Sequence, residues 1–443
     1  GEVFEKHRGR SYESQLTFAT MVQLIADALM QHGGSGRQSF LRAEEAGELP
    51  TTIRSVYRKL GNLPIELSTG FFHEVSQRLQ EIYPTQAAQN DVPKSLRRFA
   101  IFIHDGKTIK DVKKRLKVLR DVEGSVLGGR LVVSLQLATK LATAMAASED
   151  GESGETKLLP EALRQTREAC SQKKLHVADR FYFGLPQIEQ CTQEGDHFLI
   201  RQHKQRTPFF VDPDQEARTG TDRYGRKYTE DFGWVGHPND PRRRAVRRIH
   251  LHRPGVKDEL ILITDLTNAN KYPADDLLEL YLQRWTIEKV FQQVTEVFCL
   301  DSLIGSSAKA TVFQASFCFL LYNMIQVIRA YIAEAQQEVT VSEISSELLF
   351  VDIQRQLTAW TELLTTGQTL MLLSRRTTAA QIRHRLEQLL RNEWSDRWLK
   401  SPSNTHKNPP RKKSKSTAHN SVFRITEEHK QKLKNKKPKP IKT

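Results

Sequence analysis

YLQRWTIEKVFQQVTEV, at residues 281–297, carries an aromatic hydroxyl, a guanidinium and a carboxylate at helical spacing. Tyr281, Arg284 and Glu288 are three and then four residues apart, and at about 100° per residue they share one face of a helix. A row of these three groups suits a metal-bound phosphate. An exposed helix face with an ordinary Glu–Arg pair has the same pattern, so the stretch alone leaves both interpretations open.

The positive charge of the chain is concentrated at its C-terminal end. The 443 residues carry a net charge of +15, and residues 402–443 contain 13 Lys and Arg against two Glu, which leaves the rest near +4. Such an excess favours a polyanionic partner, and the Pro-, Lys- and Ser-rich composition of residues 401–443 predicts a disordered basic tail. A chain of this length forms two or three domains with a substantial core.

The cysteines and the most apolar segment both indicate a cytosolic protein. The four cysteines are widely spaced without a CxxC pattern, which predicts reduced thiols rather than a disulfide framework or a zinc site. The apolar run at residues 310–328 is interrupted by Gln314, Asn323 and Gln326. These polar residues favour a buried core helix over a membrane span, so we expect no membrane partner.

Residues 97–194 alternate between strand and helix signals, which is typical of an α/β sheet. The predicted elements are strands at 97–106, 131–139 and 140–148, a helix at 159–172, a strand at 175–180 and a helix at 181–194. Asp105 and Asp179 end the first and the last of these strands. Ligands bind at such strand ends in open α/β sheets, but Asp is also a common turn former and helix cap there.

Residues 196–268 lose helical periodicity and predict a β-rich insertion before the segment at 281–297. A Gly-, Pro- and Arg-rich stretch at 213–243 separates its strands. Five arginines of this region are candidates for phosphate contacts, and a solvated basic edge that prevents strand pairing is the alternative. They are Arg242, Arg243, Arg244, Arg247 and Arg248.

Helices are predicted on both sides of this α/β region. The predicted helices at 53–60 and 67–82 flank a Gly turn, and the first of them carries Arg54, Arg58 and Lys59. This pair suits either a DNA-binding helical module or a small bundle that packs on the next domain. A long helix beginning at Pro273 carries Tyr281, Arg284 and Glu288. Further helices are predicted at 14–31, 53–60, 67–82, 310–335, 343–364 and 377–399.

Three motifs resemble those of bacterial cut-and-paste DDE transposases. They are HDGKTI around Asp105, LHVADRF around Asp179 and YLQRWTIEKVF around Glu288. The third is similar to the YREK signature of the insertion-sequence-four group, in which Tyr, Arg, Glu and Lys are separated by two, three and six residues. The resemblance covers roughly residues 95–325, and it departs from the signature at Thr295, where the group has Lys.

The resemblance implies an α/β protein with an RNase H-like catalytic core interrupted by the β-rich insertion. Asp105, Asp179 and Glu288 would bind two Mg²⁺ or Mn²⁺ ions per active site, since hard cations prefer oxygen ligands. Tyr281 and Arg284 would contact DNA phosphates near the transposon end. Trp285, the next residue, is at a family-like position that we interpret as core packing. In the group an aromatic residue of the insertion can trap a flipped base, and Trp234, the one Trp of the insertion, is the candidate. The basic cluster Arg242, Arg243 and Arg244 would add DNA contacts.

By the same resemblance the partners are double-stranded element ends and target DNA, bound by a dimer on paired ends in the bacterial cytoplasm at the nucleoid. The predicted organisation has six parts. They are a helical N-terminal DNA-binding module (1–93), the first part of the core (94–195), the β-rich insertion (196–268), the rest of the core with the Glu helix (269–335), a helical C-terminal region (336–400) and the disordered basic tail (401–443).

The leading hypothesis is a DNA transposase that hydrolyses the phosphodiester at each element end and joins the freed 3′-hydroxyl to target DNA. An RNase H-like nuclease that cuts without joining and a non-catalytic DNA-binding descendant are the alternatives. The chain has no GxxxxGK[ST] loop, which excludes hydrolysis of a nucleoside triphosphate by a P-loop. Asp265 ends the ELILITD strand as Asp105 and Asp179 end theirs; we assign it to a turn because the family pattern places the third acid on the following helix.

Overall fold

One mixed β-sheet forms the centre of the protein in the computed structural model. Most of its strands have two buried faces, because helices cover the sheet from both sides. The chain is therefore an α/β protein, as predicted. The structure describes residues 2–84, 92–203, 206–253, 259–336, 338–363, 378–401 and 420–435.

The strands follow the sequence prediction closely in the first half of the sheet. They are β1 (Ala100–Ile109), β2 (Val126–Leu127), β3 (Gly129–Gln136), β4 (Leu141–Ser148), β5 (Lys174–Ala178), β6 (His197–Arg201), β7 (Phe209–Val211), β8 (Arg218–Thr221), β9 (Lys227–Val235), β10 (Arg244–Leu251), β11 (Leu260–Thr264) and β12 (Asn420–Ser421). The central sheet has the order β4-β3-β1-β5-β6-β11-β10-β9-β7, with β8 on β9. β1, β5 and β6 are parallel, and the other neighbours in this sheet are antiparallel.

The stretch predicted as a β-rich insertion, residues 196–268, forms strands that continue this same sheet. β6 pairs in parallel with β5, and β11 pairs with β6 in the antiparallel sense. The remaining strands of the stretch extend the sheet outward from β11. The first part of the core and the β-rich stretch are thus joined by main-chain hydrogen bonds.

The helices occupy both faces of the sheet. They are α1 (Glu2–His7), α2 (Phe18–Met30), α3 (Gly36–Glu45), α4 (Ile53–Leu60), α5 (Ile65–Ile82), α6 (Leu159–Ala169), α7 (Leu185–Cys191), α8 (Ala274–Leu282), α9 (Trp285–Glu296), α10 (Ala308–Ala335), α11 (Ser346–Leu363), α12 (Ala379–Leu390) and α13 (Val422–Asn435). Because side chains alternate along a strand, Leu199 of β6 packs into the cluster that contains α10, whereas Phe198 and Ile200 pack against α6 and α7.

The predicted core helix is α10. It is long and apolar enough to cross a membrane, but 89% of its most apolar window is buried inside the protein. Its polar side chains have partners: Asn323 accepts from the Ala142 N–H at 2.9 Å and donates to the Ala142 carbonyl at 2.7 Å. Gln314 accepts from the Ile304 N–H at 2.8 Å. Satisfied polar groups make burial possible here, since an unpaired amide in a core is costly.

The N-terminal helices pack directly on the rest of the molecule. α5 contacts α10 and β4, and its Leu67 and Phe72 are fully buried in the main hydrophobic cluster. On α4, Arg58 is exposed, whereas Lys59 donates to the carbonyl of Leu16. These helices therefore pack on the rest of the molecule, and DNA recognition by them stays a prediction.

The basic tail contains an ordered segment, so the prediction of disorder is wrong for residues 420–435. β12 pairs in parallel with β2, and Val422 at the start of α13 is buried in the main cluster. The Ser421 hydroxyl accepts from the Gly151 N–H at 3.2 Å. Arg424 forms an ion pair with Asp150 at 2.9 Å. Composition averaged over the tail hid these few anchoring contacts, and residues 402–419 and 436–443 lie outside the described residues.

Candidate active site

The sheet brings Asp105 and Asp179 to the same edge. β1 and β5 are parallel neighbours whose pairing ends at His104 opposite Ala178, and the two aspartates are the next residue of each strand. β1 does not turn at Asp105-Gly106 as a strand end would. It continues to Ile109 because β3 pairs with it along that length, with Asp105 opposite Val133.

The segment that carries the third acid, Glu288, forms two helices and not the single long helix predicted. α8 ends at Leu282 and α9 begins at Trp285. The junction is held by hydrogen bonds three residues apart, from the Arg284 N–H to the Tyr281 carbonyl at 3.0 Å and from the Ile287 N–H to the Arg284 carbonyl at 3.2 Å. Glu288 lies on the first turn of α9.

The break between α8 and α9 also exposes Trp285. Its side chain is 56% exposed, and the Arg284 guanidinium lies 4.9 Å from its ring centroid. The expectation that Trp285 packs in the core is therefore wrong. In its place Ile287 and Phe291 of α9 are buried, because the start of α9 is set by the junction and not by a continuous helical phase from α8.

Two buried side chains connect the three acids. Arg284 contacts Glu288 at 2.8 Å (Nη2 to Oε1) and Asp105 at 3.6 Å (Nη1 to Oδ2). The Tyr281 hydroxyl donates to Oδ1 of Asp179 at 3.4 Å. Arg284 and Tyr281 are 5% and 4% exposed, respectively. All five residues singled out around this site are thus brought together.

Burial and neighbouring acids raise the pKa of Asp105 to about 7. Burial is the largest cause, and the carboxylates of Glu155 and Glu288 act in the same direction. The Gly106 N–H, which donates to Oδ1 at 2.9 Å, and the Arg284 guanidinium lower it in part. A charged Asp105 is therefore short of positive partners in this arrangement.

Glu155 is a carboxylate that the sequence did not identify, because it lies in a polar loop with no motif around it. Arg130 donates to its Oε1 at 2.7 Å, and the Tyr182 hydroxyl donates to its Oε2 at 3.3 Å. A Cβ added at Gly106 would lie 2.0 Å from the Glu155 carboxyl carbon. Any other residue at position 106 would displace the Glu155 carboxylate from its present position.

The donors of the site suit a hard divalent cation in kind, because all are carboxylate oxygens. In the described part of the chain, no group of three or more His, Cys, Asp or Glu side chains converges as metal ligands do. The Arg284 guanidinium occupies the space between Asp105 and Glu288 instead, and its Nε is buried without a hydrogen-bond partner.

Asp265, the rival acid, lies at the opposite edge of the sheet. β11 is antiparallel to β6, so the residue after β11 lies beside the start of β6. There Asp265 accepts from the Phe198 N–H at 3.0 Å and contacts Nδ1 of His197 at 2.8 Å. Its carboxylate joins the ends of two strands and is remote from Asp105 and Asp179.

The arginines of the β-rich stretch have different surroundings. Arg247 is fully buried in an ion pair with Glu230 at 2.6 Å, so the idea that it contacts phosphate is wrong. Arg248 pairs with Asp231 at 2.6 Å. Arg242 pairs with Asp240 at 3.2 Å, and Arg244 is exposed at the start of β10.

Trp234 is half-buried on β9, and the Arg243 guanidinium lies 4.6 Å from its ring centroid. Together with Phe232 and Asn268 it lines a cavity of about 590 Å³. On β9, Trp234 is paired with Ala245 of β10 on one side and with Phe210 of β7 on the other. Trp234 therefore lines a concave surface on the outer strands, which the sheet order separates from β1 and β5.

Thr295 donates its hydroxyl to the Phe291 carbonyl at 2.6 Å, within its own helix. The ammonium of Lys107 donates to the same carbonyl at 3.4 Å and lies 5.5 Å from the Phe291 ring centroid. Burial lowers the pKa of Lys107. A cation from β1 thus lies on the part of α9 where the YREK signature would have its lysine.

Comparison with known proteins gives a family match over half of the chain. The family model described as "Transposase DDE domain" matches residues 100–324, which span β1 to α10 and include all three acids. A solved structure of the piggyBac transposase synaptic complex with hairpin DNA has a TM-score of 0.36 and 12% identity, covering 90% of this chain and 83% of that one. No curated protein matches the chain.

Proposed function

The chain belongs to the DDE transposases and is a DNA transposase, a polynucleotidyl transferase, and we propose that Asp105, Asp179 and Glu288 are its catalytic acids. The supporting observation is their convergence. Two of them follow the last paired residues of parallel β1 and β5, and Arg284 links one of these to Glu288. All three lie within the matched family segment.

DDE transposase domains generally use divalent metal ions, and we propose that the three acids hold two Mg²⁺ or Mn²⁺ ions. Bound metal ions activate the attacking oxygen and stabilise the leaving oxygen of a phosphodiester in such sites. The chain itself contributes the carboxylate ligands and a rigid base, since β1 and β5 are central strands with two buried faces. Arg284 holds Asp105 and Glu288 together through its guanidinium.

Tyr281 and Arg284 are proposed to contact the DNA phosphate that reaches the acids. Both side chains carry donors at the site, a phenol hydroxyl and a guanidinium. Arg284 Nε is a buried donor without a hydrogen-bond partner. A planar guanidinium suits bidentate phosphate contacts.

The proposed reaction has two chemical steps at each element end. Water attacks the phosphorus at the end of the element, and the bond to the 3′-oxygen breaks to leave a free 3′-hydroxyl. That hydroxyl then attacks a phosphorus of target DNA in line, forming a new phosphodiester and releasing the target strand's own 3′-oxygen. The Tyr, Arg and Glu spacing of the insertion-sequence-four group supports placing the chain in that bacterial group.

The finer organisation is also proposed. The strand order β4-β3-β1-β5-β6 supports an RNase H-like core, and a dimer on paired element ends in the bacterial cytoplasm follows from the group. Residues 1–93 are proposed to bind DNA through their exposed basic side chains. Trp234 and its neighbour Arg243 offer an aromatic wall with a cation to a flipped base. The further proposed DNA contacts are Arg242 and Arg244.

A strand-transfer assay on pre-cut ends tests the proposal. The DNA that flanks the gene supplies candidate ends, and substrates carrying a free 3′-hydroxyl are mixed with supercoiled target in Mg²⁺ or Mn²⁺. We expect joined products with the intact chain and none with Glu288→Gln. Cleavage without joining would favour the nuclease alternative, and an unaffected Glu288→Gln would favour the non-catalytic one.

A further inference from the structure

Four aromatic side chains are exposed among those whose burial the structure describes, and two of them border the acids. Phe181 and Trp285 are 52% and 56% exposed, whereas the other two, Tyr12 and Tyr224, lie on outer segments of the chain. Phe181 is two residues after Asp179. Single exposed apolar residues are normal. Phe181, however, follows one of the proposed catalytic acids and has two arginines beside its ring, which suits a ligand with an aromatic face.

The orientation of Phe181 is set by its neighbours. After β5 the chain forms one turn of 3₁₀ helix, Arg180–Tyr182. Tyr182 and Phe183 are almost fully buried in the cluster beneath α6 and α7, and the Tyr182 hydroxyl donates to Glu155. Since these two side chains point inward on a short turn, Phe181 is held outward at the edge of the sheet where Asp179 lies.

Two arginines frame the Phe181 ring. The guanidinium carbons of Arg180 and Arg206 each lie 5.9 Å from its centroid. Arg206 also donates from Nη1 to the Phe181 carbonyl at 2.8 Å, which ties the segment after β6 to the turn after β5. An aromatic face flanked by cations is the arrangement that binds nucleotides, with the base stacked and the phosphates near the charges.

We propose that Phe181 stacks on the terminal base pair of the cleaved DNA end. This inference rests on the proposed function, because it takes Asp179 as one of the acids that hold the scissile phosphate. Cleavage removes the neighbour of the last base pair and leaves one base face open to water. A ring fixed beside the acids covers that face, and it stabilises the cut end while its 3′-hydroxyl awaits the target.

Two DNAs of the same sequence test the inference in EDTA, where binding is measured without cleavage. One is a duplex closed by a hairpin loop at one end and blunt at the other, and the second is a dumbbell closed at both ends. We expect the intact chain to prefer the blunt-ended DNA. Phe181→Ala should weaken binding to that DNA about 5- to 150-fold, the range for loss of one base–aromatic stack, and leave dumbbell binding unchanged.

Conservative variants separate stacking from simple bulk. Phe181→Trp should keep the preference for the blunt end, and Phe181→Leu should lose it, because a leucine keeps apolar volume but has no ring face. Tyr224→Ala, at another exposed aromatic that stacks with an arginine (Arg226, 5.0 Å), is the matched control and should behave as the intact chain. A thermal melt of each variant checks the fold, which a half-exposed side chain should hardly affect.

The inference is overturned if Phe181→Ala keeps the preference for the blunt end or if Phe181→Leu restores it. Asp179→Asn distinguishes this failure from that of the proposed function. It should abolish cleavage and retain the blunt-end preference. Cleavage that persists in Asp179→Asn would contradict the catalytic assignment, whatever Phe181 does.

Discussion

Asp179 and Asp265 each follow a buried strand, yet they have opposite surroundings. Asp265 accepts a main-chain hydrogen bond from Phe198 at 3.0 Å and contacts the His197 ring at 2.8 Å. Asp179 receives the Tyr281 hydroxyl at a long 3.4 Å and lies at the edge that Asp105 shares. The two carboxylates have the same local sequence context and belong to opposite edges of one sheet.

The difference shows how a structural carboxylate is told from a functional one. Both carboxylate oxygens of Asp265 contact β6, and they hold the end of β11 at the start of that strand. Asp179 has one long hydrogen bond, and Oδ2 of Asp105 lies 3.6 Å from the Arg284 guanidinium. Burial together with neighbouring acids raises the pKa of Asp105. Buried polar groups normally find partners, so under-bonded carboxylates grouped at one edge indicate a site that a ligand completes.

The largest effect we expect comes from replacing one acid at each edge by asparagine. The Asp179 variant should lose cleavage, and the Asp265 variant should lose stability. Asp179→Asn should lower cleavage by roughly 10³-fold or more, since metal-assisted stabilisation of a phosphoryl transition state is worth several kcal/mol. Asp265→Asn should cleave nearly as the intact chain does but lose about 1–3 kcal/mol of unfolding free energy. Cleavage rates and urea melts measure the two, and equal loss of cleavage in both would break the comparison.

Asp105 should make the catalytic edge sensitive to pH in metal-free protein. Its folded-state pKa of about 7 lies above the usual 3.8, so its stabilising contribution is complete below about pH 4 and is lost as the pH rises through 7. Asp105→Asn should therefore raise the unfolding free energy at pH 8, by up to roughly 4 kcal/mol at about 1.4 kcal/mol per pKa unit. Melts in EDTA at pH 4 and pH 8 test this, and a variant no more stable than the intact chain at pH 8 would contradict it.

The distinction between structural and functional contacts also divides the basic tail. A chain ending at residue 435 keeps the buried Val422 and the Arg424–Asp150 pair and loses four lysines. It should melt as the full chain does, with DNA binding that depends less steeply on salt. A chain ending at residue 419 should also lose thermal stability. If the chain ending at residue 435 shows the same salt dependence of DNA binding as the full chain, the last four lysines do not contribute to DNA binding.

The smallest expected effect concerns the far end of α9. Thr295→Lys should add one phosphate contact, because lysine brings a positive charge to a position whose native hydroxyl is hydrogen-bonded within its own helix. The slope of log K against log salt should become steeper by about 0.9. Thr295→Gln is the neutral control of similar length. If both variants bind alike at all salt concentrations, position 295 does not face the DNA phosphates.

Much of the local structure could be predicted from the residues themselves. Short apolar runs indicate β3, β4 and β5, and helical spacing indicates α5, α6 and α10. The polar residues that interrupt α10 predict a buried core helix. The structure agrees, since Gln314, Asn323 and Gln326 each have a hydrogen-bond partner inside the protein. Tyr281, Arg284 and Glu288 were identified from spacing alone as a possible row, and their convergence with Asp105 and Asp179 followed from family resemblance.

What depends on distant contacts escaped the sequence. The predicted helix is interrupted between Leu282 and Trp285, and Trp285 is exposed at the interruption. β1 continues past Asp105 because it pairs with β3 as far as Ile109. Glu155 lies in the space that the missing side chain of Gly106 leaves, and Arg130 and Tyr182 hold it there. Arg247 lies among candidate phosphate ligands in the sequence, yet Glu230 on the neighbouring strand neutralises it in the core.

The amino-acid sequence by itself determined where most strands and helices lie and that Asp179 and Asp265 follow strands, since periodicity and turn chemistry act over a few residues. It could not determine at which edge of the sheet each acid lies. Strand direction settled that: β5 is parallel to β1, and β11 is antiparallel to β6. Tertiary pairing therefore grouped Asp179 with Asp105 and placed Asp265 at the opposite edge, because the end of a strand has a location only relative to its neighbours.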